Sequence, residues 1–389
     1  VPAAVQANQR RDLMAAIRGC GIEVDESCLI DEPNAAFLSY VHEVARSPDG
    51  QDLLVRANAG EISVLVYDLG AGTCDVSLLD FSISANRVTS RNRAISKFTA
   101  LGGDDIDREI ARRILLGQLR QADGSVVELT ALDIEEKVVP ALAPAAEKLK
   151  VAISKMMADK NVGRLDAARR LPDLVFETQA VPQFKLRGAV VGIETPALSV
   201  HQFLDILGPF CGPRRGADAS RHLVGPVHDV LDKASLDPSE VDAVLFIGGS
   251  AQNPLVRAAV MDLFPPEVRE VVPRNLRALV SQGAAIQSLG LHGFGFDFIA
   301  PITSEAISVV ARGGSVETLI PASTPVPTED PFVIELSIPD DGQRQLDVPI
   351  CSGGRDKLVG IVSVKPVGSN GFARGDAVIV TGRLRNGTR

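Results

Sequence analysis

The sequence predicts two architectures in one chain: α/β lobes up to about residue 290 and an antiparallel β domain from about residue 301. Three observations predict them. Segments with helical and strand periodicity alternate as far as residue 289, the order that builds helix-covered sheets. From residue 292 the texture changes to short alternating runs separated by Pro, Gly, Asp and Asn. The 389 residues also exceed what one ordinary core encloses.

Residues 8–20 place Leu13, Met14, Ile17 and Cys20 on one helical face, and Gly19 and Gly21 offer a helix stop. Cys28-Leu29-Ile30 reads as a short buried strand. It leads through Asp31-Glu32-Pro33-Asn34 into a helix to about residue 45, with Pro33 suited to the first turn. Residues 63–67 and 75–83 read as strands of a hairpin joined by a glycine-rich tip. Helices are predicted over 104–119 and 135–157. Residues 158–234 carry mixed signals, broken by the Pro- and Arg-rich stretch 208–221, with a helix over 227–234. A buried strand at 241–247 runs into Gly248-Gly249-Ser250, followed by helices over 254–264 and 276–289 and a stop at Gly290. The expected organisation is 1–60 as the remainder of a first lobe and 61–290 as a second lobe, with an inserted subdomain over about 111–234. Residues 291–300 would be a linker and 301–389 the β domain. The linker segment 293–299 is apolar, which favours a docked over a free connection.

Charge and cysteine usage narrow the function classes. A net charge of -9 with dispersed Lys and Arg argues against nucleic-acid binding, which needs a basic face. Five cysteines without C-x-x-C spacing suggest neither a zinc cage nor a disulfide framework, so a reducing compartment, the cytoplasm, is expected. No apolar run reaches bilayer-spanning length, and no membrane partner is expected.

The sharpest chemical signal is Asp68-Leu69-Gly70-Ala71-Gly72-Thr73-Cys74-Asp75. Small residues let backbone N–H groups approach a phosphate, the Thr73 hydroxyl can bond an oxygen or a water, and two carboxylates can hold the water shell of Mg²⁺. A plain hairpin turn fits the same glycines. Upstream, Glu32 at a helix start can orient a water or simply cap the helix. Downstream, Gly248-Gly249-Ser250 can lie flat against a ligand. Glu147, Lys150 and Ser154 recur at about one helical turn, sharing a face that suits ribose and purine edges or merely solvent.

Taken in order, these residues resemble the nucleotide site of the actin-like ATPases, whose lobes are ribonuclease H-like, and within them the DnaK-type 70-kilodalton heat-shock chaperones. Val1-Pro2-Ala3 and the following Gln/Arg helix resemble "VPAYF...QR", Asp31-Glu32-Pro33-Asn34-Ala35-Ala36 "NEPTAA", and Leu101-Gly102-Gly103-Asp104-Asp105-Ile106-Asp107 "LGGEDFD". Residues 244–254 resemble "VLVGGSTRIP", Gln282-Gly283-Ala284-Ala285 "YGAA", and residues 319–327 "LIPRNTTIP", the start of that family's peptide-binding β sandwich.

The resemblance implies a chaperone that binds unfolded peptide segments in the β domain and releases them when ATP binds the other domain. It implies ATP/ADP and Mg²⁺ as cofactors, and a J-domain co-chaperone and a nucleotide-exchange factor as partners. It carries phosphate contacts to Gly70, Ala71, Gly72 and Thr73, the hydrated metal to Asp68 and Asp75, and the catalytic group to Glu32, Thr73 and Asp75. Adenosine contacts fall to Glu147, Lys150, Ser154, Gly248, Gly249 and Ser250. A non-hydrolysing adaptor that keeps the fold as a scaffold is the alternative.

Departures from the family pattern modify these expectations. The family's first phosphate loop, D-L-G-T-T, and the lysine after it do not occur. Charge-assisted hydrogen bonds worth roughly 1.5–3 kcal/mol each are thereby missing, so weak ATP binding by this chain is expected. The first lobe is expected to be incomplete, the helical lid to be missing, and the β domain to stop at an "RNG" turn, Arg385-Asn386-Gly387. Ala71 stands where the family has glycine, a cost if its φ is positive. Val151 replaces a basic residue that would stack on adenine, Gln252 an arginine beside the Gly-Gly-Ser loop, and Asn275-Leu276-Arg277-Ala278 the acidic "NPDE".

Overall fold

The computed structural model describes the chain apart from residues 2–6, 25–27, 47–50, 85–86, 97–98, 180–181, 212–221, 296–297, 301–302, 304, 323, 325, 356, 367–370 and 385–389. Its first helices are α1 (Ala7–Gly19), α2 (Glu32–Val44) and α3 (Gln51–Ala59). Strands β1 (Ile62–Leu69), β2 (Cys74–Ser84) and β3 (Arg87–Ile95) follow as an antiparallel meander. Then come α4 (Gly103–Arg113), β4 (Arg120–Gln121), the single turn α5 (Ala131–Asp133), α6 (Val139–Asp159) and the single turn α7 (Leu165–Ala168). Short strands β5 (Val175–Glu177), β6 (Gln183–Leu186), β7 (Ala189–Gly192) and β8 (Ala197–Ser199) form two small sheets, β4-β7-β6 and β5-β8. Helices α8 (Val200–Cys211) and α9 (Gly225–Ala234) lead to β9 (Ala243–Ile247), α10 (Pro254–Met261), β10 (Arg269–Val271) and α11 (Leu276–Ser288).

The main sheet has the order β10-β9-β1-β2-β3-β11, where β11 is Ile299–Ala300. Every residue of β1 is buried, as expected of a strand covered on both faces. Because side chains alternate across a strand, Leu65, Tyr67 and Leu69 enter one core while Val64 and Val66 enter another. The first core joins the sheet to α4, α6, α8, α9 and α10. The second joins it to α2, α3 and α11, with the Phe37 ring edge-on to Phe81 at 5.2 Å between centroids. The sheet is thus the middle layer of three. Residues 32–59 lie directly on it and not apart from it.

Several predicted elements are corrected. Cys28-Leu29-Ile30 forms no strand: the Ile30 carbonyl accepts from the Val1 amine, and no ladder partner is present among the described residues. The helix predicted over 104–119 ends at Arg113 and continues as a 3-10 turn at Leu115–Gln118. The last helix does not stop at Gly290. It widens into a π turn, Leu289–Phe294, and ends at Gly295, whose left-handed φ of 73° favours glycine. Elements without an expectation in the sequence are α3, β3, β4 and β10, and the strands β5 to β8 of the two small sheets. Pro2 and Ala3, most of the stretch 208–221, and Arg385-Asn386-Gly387 fall wholly or partly outside the described residues.

The segment expected to be a docked linker adds a strand to the main sheet. Ile299 and Ala300 pair in parallel with Ser90 and Arg91, and the Ser90 amide donates to the Phe298 carbonyl at 3.1 Å. Phe296 and Asp297 lie outside the described residues. Beyond it, β12 (Ile307–Val310), β13 (Val316–Ile320), β15 (Leu346–Ser352) and β16 (Leu358–Val364) form a sheet of order β13-β12-β15-β16. Strands β14 (Phe332–Ser337) and β17 (Ala377–Gly382) pair separately. One apolar cluster, including Val309, Leu319, Ile320, Val348, Ile334 and Val380, draws on both sheets.

The layer containing α2 depends on one glycine. A Cβ at Gly283 on α11 would stand 1.6 Å from the Ala35 carbonyl oxygen of α2, so the two helices cross backbone to backbone. Gly283→Ala is expected to lower unfolding free energy by about 1–3 kcal/mol through forced separation of the helices. Gly60→Ala, where a Cβ meets nothing within 4 Å, should leave it nearly unchanged. Urea denaturation of both variants checks this; equal midpoints would contradict it.

Candidate functional site

The hairpin β1–β2 brings Asp68 and Asp75 directly opposite each other, so both carboxylates leave the same face of the sheet, the α2 side. Like charges in that arrangement repel. Burial raises the Asp68 pKa most, and the charges of Glu32 and Asp75 raise it further, to about 7, with the Val1 amine partly opposing. Glu32 opens α2 and stands 4.0 Å from that amine. The sequence-predicted acidic residues are therefore brought into electrostatic contact.

The tip of the hairpin is held from behind. The Gly70 amide donates to the Thr73 carbonyl at 3.0 Å, closing the turn. Its two outward carbonyls then cap a helix: the Gly103 amide donates to Gly70 at 3.1 Å and the Asp104 amide to Ala71 at 2.7 Å. These amides belong to the first turn of α4, where no intrahelical acceptor exists. A Cβ at Gly102 would lie 2.2 Å from the Ala71 oxygen, so glycine is required for the approach. Ala71 and Gly72 remain exposed and Thr73 half-buried. The only non-glycine residues with positive φ among those described are Asn161, Arg187 and Ser235. Ala71 thus carries none of the backbone strain its replacement of glycine could have caused.

Two further elements converge on Gly103. A Cβ there would meet the Ser250 hydroxyl at 2.1 Å and the Lys150 ammonium at 3.1 Å. Lys150 on α6 donates to the Gly103 carbonyl at 3.0 Å and to the Asp107 carboxylate at 2.7 Å. Ser154 donates to the Lys150 carbonyl at 2.8 Å, and Glu147 is exposed on the same helix. Gly248, at φ 82°, lies where a Cβ would stand 2.3 Å from the Leu69 carbonyl and 2.7 Å from an Asp68 oxygen. Gly249 is exposed. The hairpin, the helix face and the Gly-Gly-Ser loop, separated by up to 180 residues, are thereby neighbours.

Two features escaped sequence reading. Asp107 holds Lys150, so this lysine is not a freely projecting side chain. Arg257 on α10 donates to the Gln252 carbonyl at 2.6 Å, placing a guanidinium at the Gly-Gly-Ser loop although Gln252 itself is no arginine. A cue was present for the first: paired glycines before Asp104-Asp105 mark a helix start that must sit against something.

For a divalent cation, the donors are suitable in type but not in number. Among the described residues no group of three His, Cys, Asp or Glu side chains could hold a metal directly. The Asp68–Asp75 pair, with Asp68 repelled by its neighbours, fits a cation that keeps most of its waters, as Mg²⁺ does. The five cysteines form no disulfide, and burial pushes the Cys74 thiol beside this site up to about 12. No described helix is long and apolar enough to cross a membrane.

A helix-covered mixed sheet with a glycine-tipped acidic hairpin is the architecture expected of an actin-like ATPase lobe. The family model described as "Hsp70 protein" matches residues 1–168 and 217–361, and the chain belongs to that family. It is similar to the chaperone protein DnaK of Thermus thermophilus, 28% identical over 356 residues, which covers 91% of this chain and 49% of that protein. It is 30% identical to the chaperone protein dnaK3 of Thermosynechococcus vestitus over 92% of this chain and 44% of the relative. To heat shock protein hsp-6 of Caenorhabditis elegans it is 29% identical over 94% of this chain and 48% of that protein. The chain spans about half the length of these curated relatives.

Asp68 provides a test independent of ligand. The folded state holds its proton more tightly than the unfolded chain does. The stability this group contributes is therefore full below the unfolded value near 3.8 and is lost as pH rises through about 7. Asp68→Asn, which keeps the neutral form, is expected to stabilise the protein on the order of 2 kcal/mol at pH about 8, with the gain vanishing near pH 4. Thermal unfolding across that range checks it; a loss of stability at pH 8 would contradict it.

Proposed function

We propose that this chain carries the nucleotide site and the client-binding β domain of an ATP-dependent molecular chaperone. The observation that carries the reading is the convergence at Gly103, in a chain of the Hsp70 family, of the hairpin tip, Lys150 and Ser250. Backbone amides of Ala71, Gly72 and Thr73 would receive the phosphates of ATP or ADP above the turn that the Gly70 amide closes, and the Thr73 hydroxyl would add a further bond. Asp68 and Asp75 would hold hydrated Mg²⁺, which supplies neutralisation of phosphate charge when bound. Glu32, with Thr73 and Asp75, would orient the attacking water. Glu147, Lys150, Ser154, Gly248, Gly249 and Ser250 would hold the nucleoside, against the exposed Val151 side chain in place of a stacking cation.

The neighbouring β domain supports the second half of the reading. Its two sheets and their shared apolar cluster would present a site for extended, unfolded peptide segments. The pairing of β11 with β3 supports communication, since β3 is hydrogen-bonded to β2 and Asp75 lies at the start of β2. Relatives named as chaperone and heat shock proteins accord with the reading. A J-domain co-chaperone, a nucleotide-exchange factor and a cytoplasmic location belong to the same proposal.

The test is release of a fluorescently labelled, extended apolar peptide. Release is expected to be faster with MgATP than with MgADP, by about tenfold if coupling is near 1.4 kcal/mol. Asp75→Asn should abolish the difference. Peptide release indifferent to nucleotide in the unaltered protein would remove the chaperone reading.

A further inference from the structure

We propose that Asp107 is a positioning residue for the nucleoside half of the site: it anchors the Lys150 ammonium against the Gly103 carbonyl, leaving one ammonium proton to donate to a ribose hydroxyl. The inference rests on the reading of the α6 face given above, and deepens it. An ammonium has three protons. Two are committed, one to Asp107 at 2.7 Å and one to Gly103 at 3.0 Å.

The pair is an unusual thing to keep for stability alone. Its side chains are only 10% and 6% exposed, and the second Asp107 oxygen is buried without a hydrogen bond. A buried ion pair recovers its desolvation cost only with good geometry and full hydrogen bonding, and this one lacks the second. What it does secure is position. The same Gly103 whose carbonyl takes the lysine also gives its amide to Gly70, so the phosphate-side hairpin and α6 are registered through a single residue. Without Asp107, the long lysine side chain would be held by one carbonyl.

The charges acting on Asp107 are Lys150 and Glu147 from α6 and Asp104 from its own helix. Helix α8, also packed on α4, contributes buried apolar residues such as Phe203 and Leu207 to the shared core. Burial, against the pull of Lys150, pushes the Asp107 pKa up to about 6. The ion pair is therefore complete above that pH and is lost as pH falls through it.

The experiment uses adenosine, which carries no phosphate and so leaves out Asp68, Asp75 and Mg²⁺. Adenosine binding to the 389-residue chain is followed by NMR titration from about pH 5 to about pH 8. Affinity should fall below about pH 6 in the unaltered protein. Asp107→Asn should weaken binding about tenfold at neutral pH and flatten the profile, and Asp107→Glu should recover part of the loss. Lys150→Met should lose a similar factor, and the double variant should bind no more weakly than Lys150→Met alone.

Additive losses, or an Asp107→Asn variant with unchanged affinity and profile, would overturn the proposal while leaving the nucleotide reading intact. If Asp107→Asn does not fold, a flat profile in the unaltered protein overturns it equally. Absence of adenosine binding to the folded, unaltered chain at any pH would overturn the nucleoside reading and this proposal together.

Discussion

The absence of a side chain at Gly102 and Gly103 is the constraint on which the rest of the site depends. One would drive its Cβ into the Ala71 carbonyl, the other into Ser250. Because both positions are glycine, the first turn of α4 can give its orphan amides to the hairpin tip. That contact points the hairpin outward while fixing it from behind. It also brings α6, packed along α4, to the place where Lys150 reaches Gly103. A loop with ordinary side chains there would separate the hairpin from both remaining parts.

The sheet beneath supplies a second kind of constraint. Asp68 and Asp75 end two buried strands, and the register that buries Val64, Val66, Leu79 and Phe81 toward α2 also turns both carboxylates to that side. Apolar patterning and charge placement are consequences of a single period of two. The repulsion that results is borne by the fold and raises the Asp68 pKa. Such a site is less stable than a neutral one would be, and a bound cation would relieve it. On the far edge, β3 accepts β11, so the sheet that ends in the acidic hairpin also receives the connection to the β domain.

Much of this was legible in the sequence because its signals are local. The β1–β2 hairpin, the helix opening at Glu32, and the strand entering Gly248-Gly249-Ser250 are each written in a run of a few residues. The change from helices to short strands is written as a change of texture near 291, although the main sheet still takes up Ile299 and Ala300 before the separate sheet starts at Ile307. Signals that depend on distant partners were harder to see. Cys28-Leu29-Ile30 has the composition of a strand but joins no sheet among the described residues. Strand β3 carries Arg91, Asn92 and Arg93 in succession, a polar run whose two arginines are paired by Asp80 on β2. The role of Asp107 was invisible for the same reason: its partner lies 43 residues away, on another helix.

Backbone amide NMR of this chain, titrated with MgADP, tests the central claim most directly, because it reports on every part of the site at once. The account predicts that the amides of Gly70, Gly72, Thr73, Gly103 and Gly249 shift together along one saturation curve. Shifts confined to other regions, or curves giving different affinities for the hairpin and for the Gly-Gly-Ser loop, would contradict a single site built around Gly103.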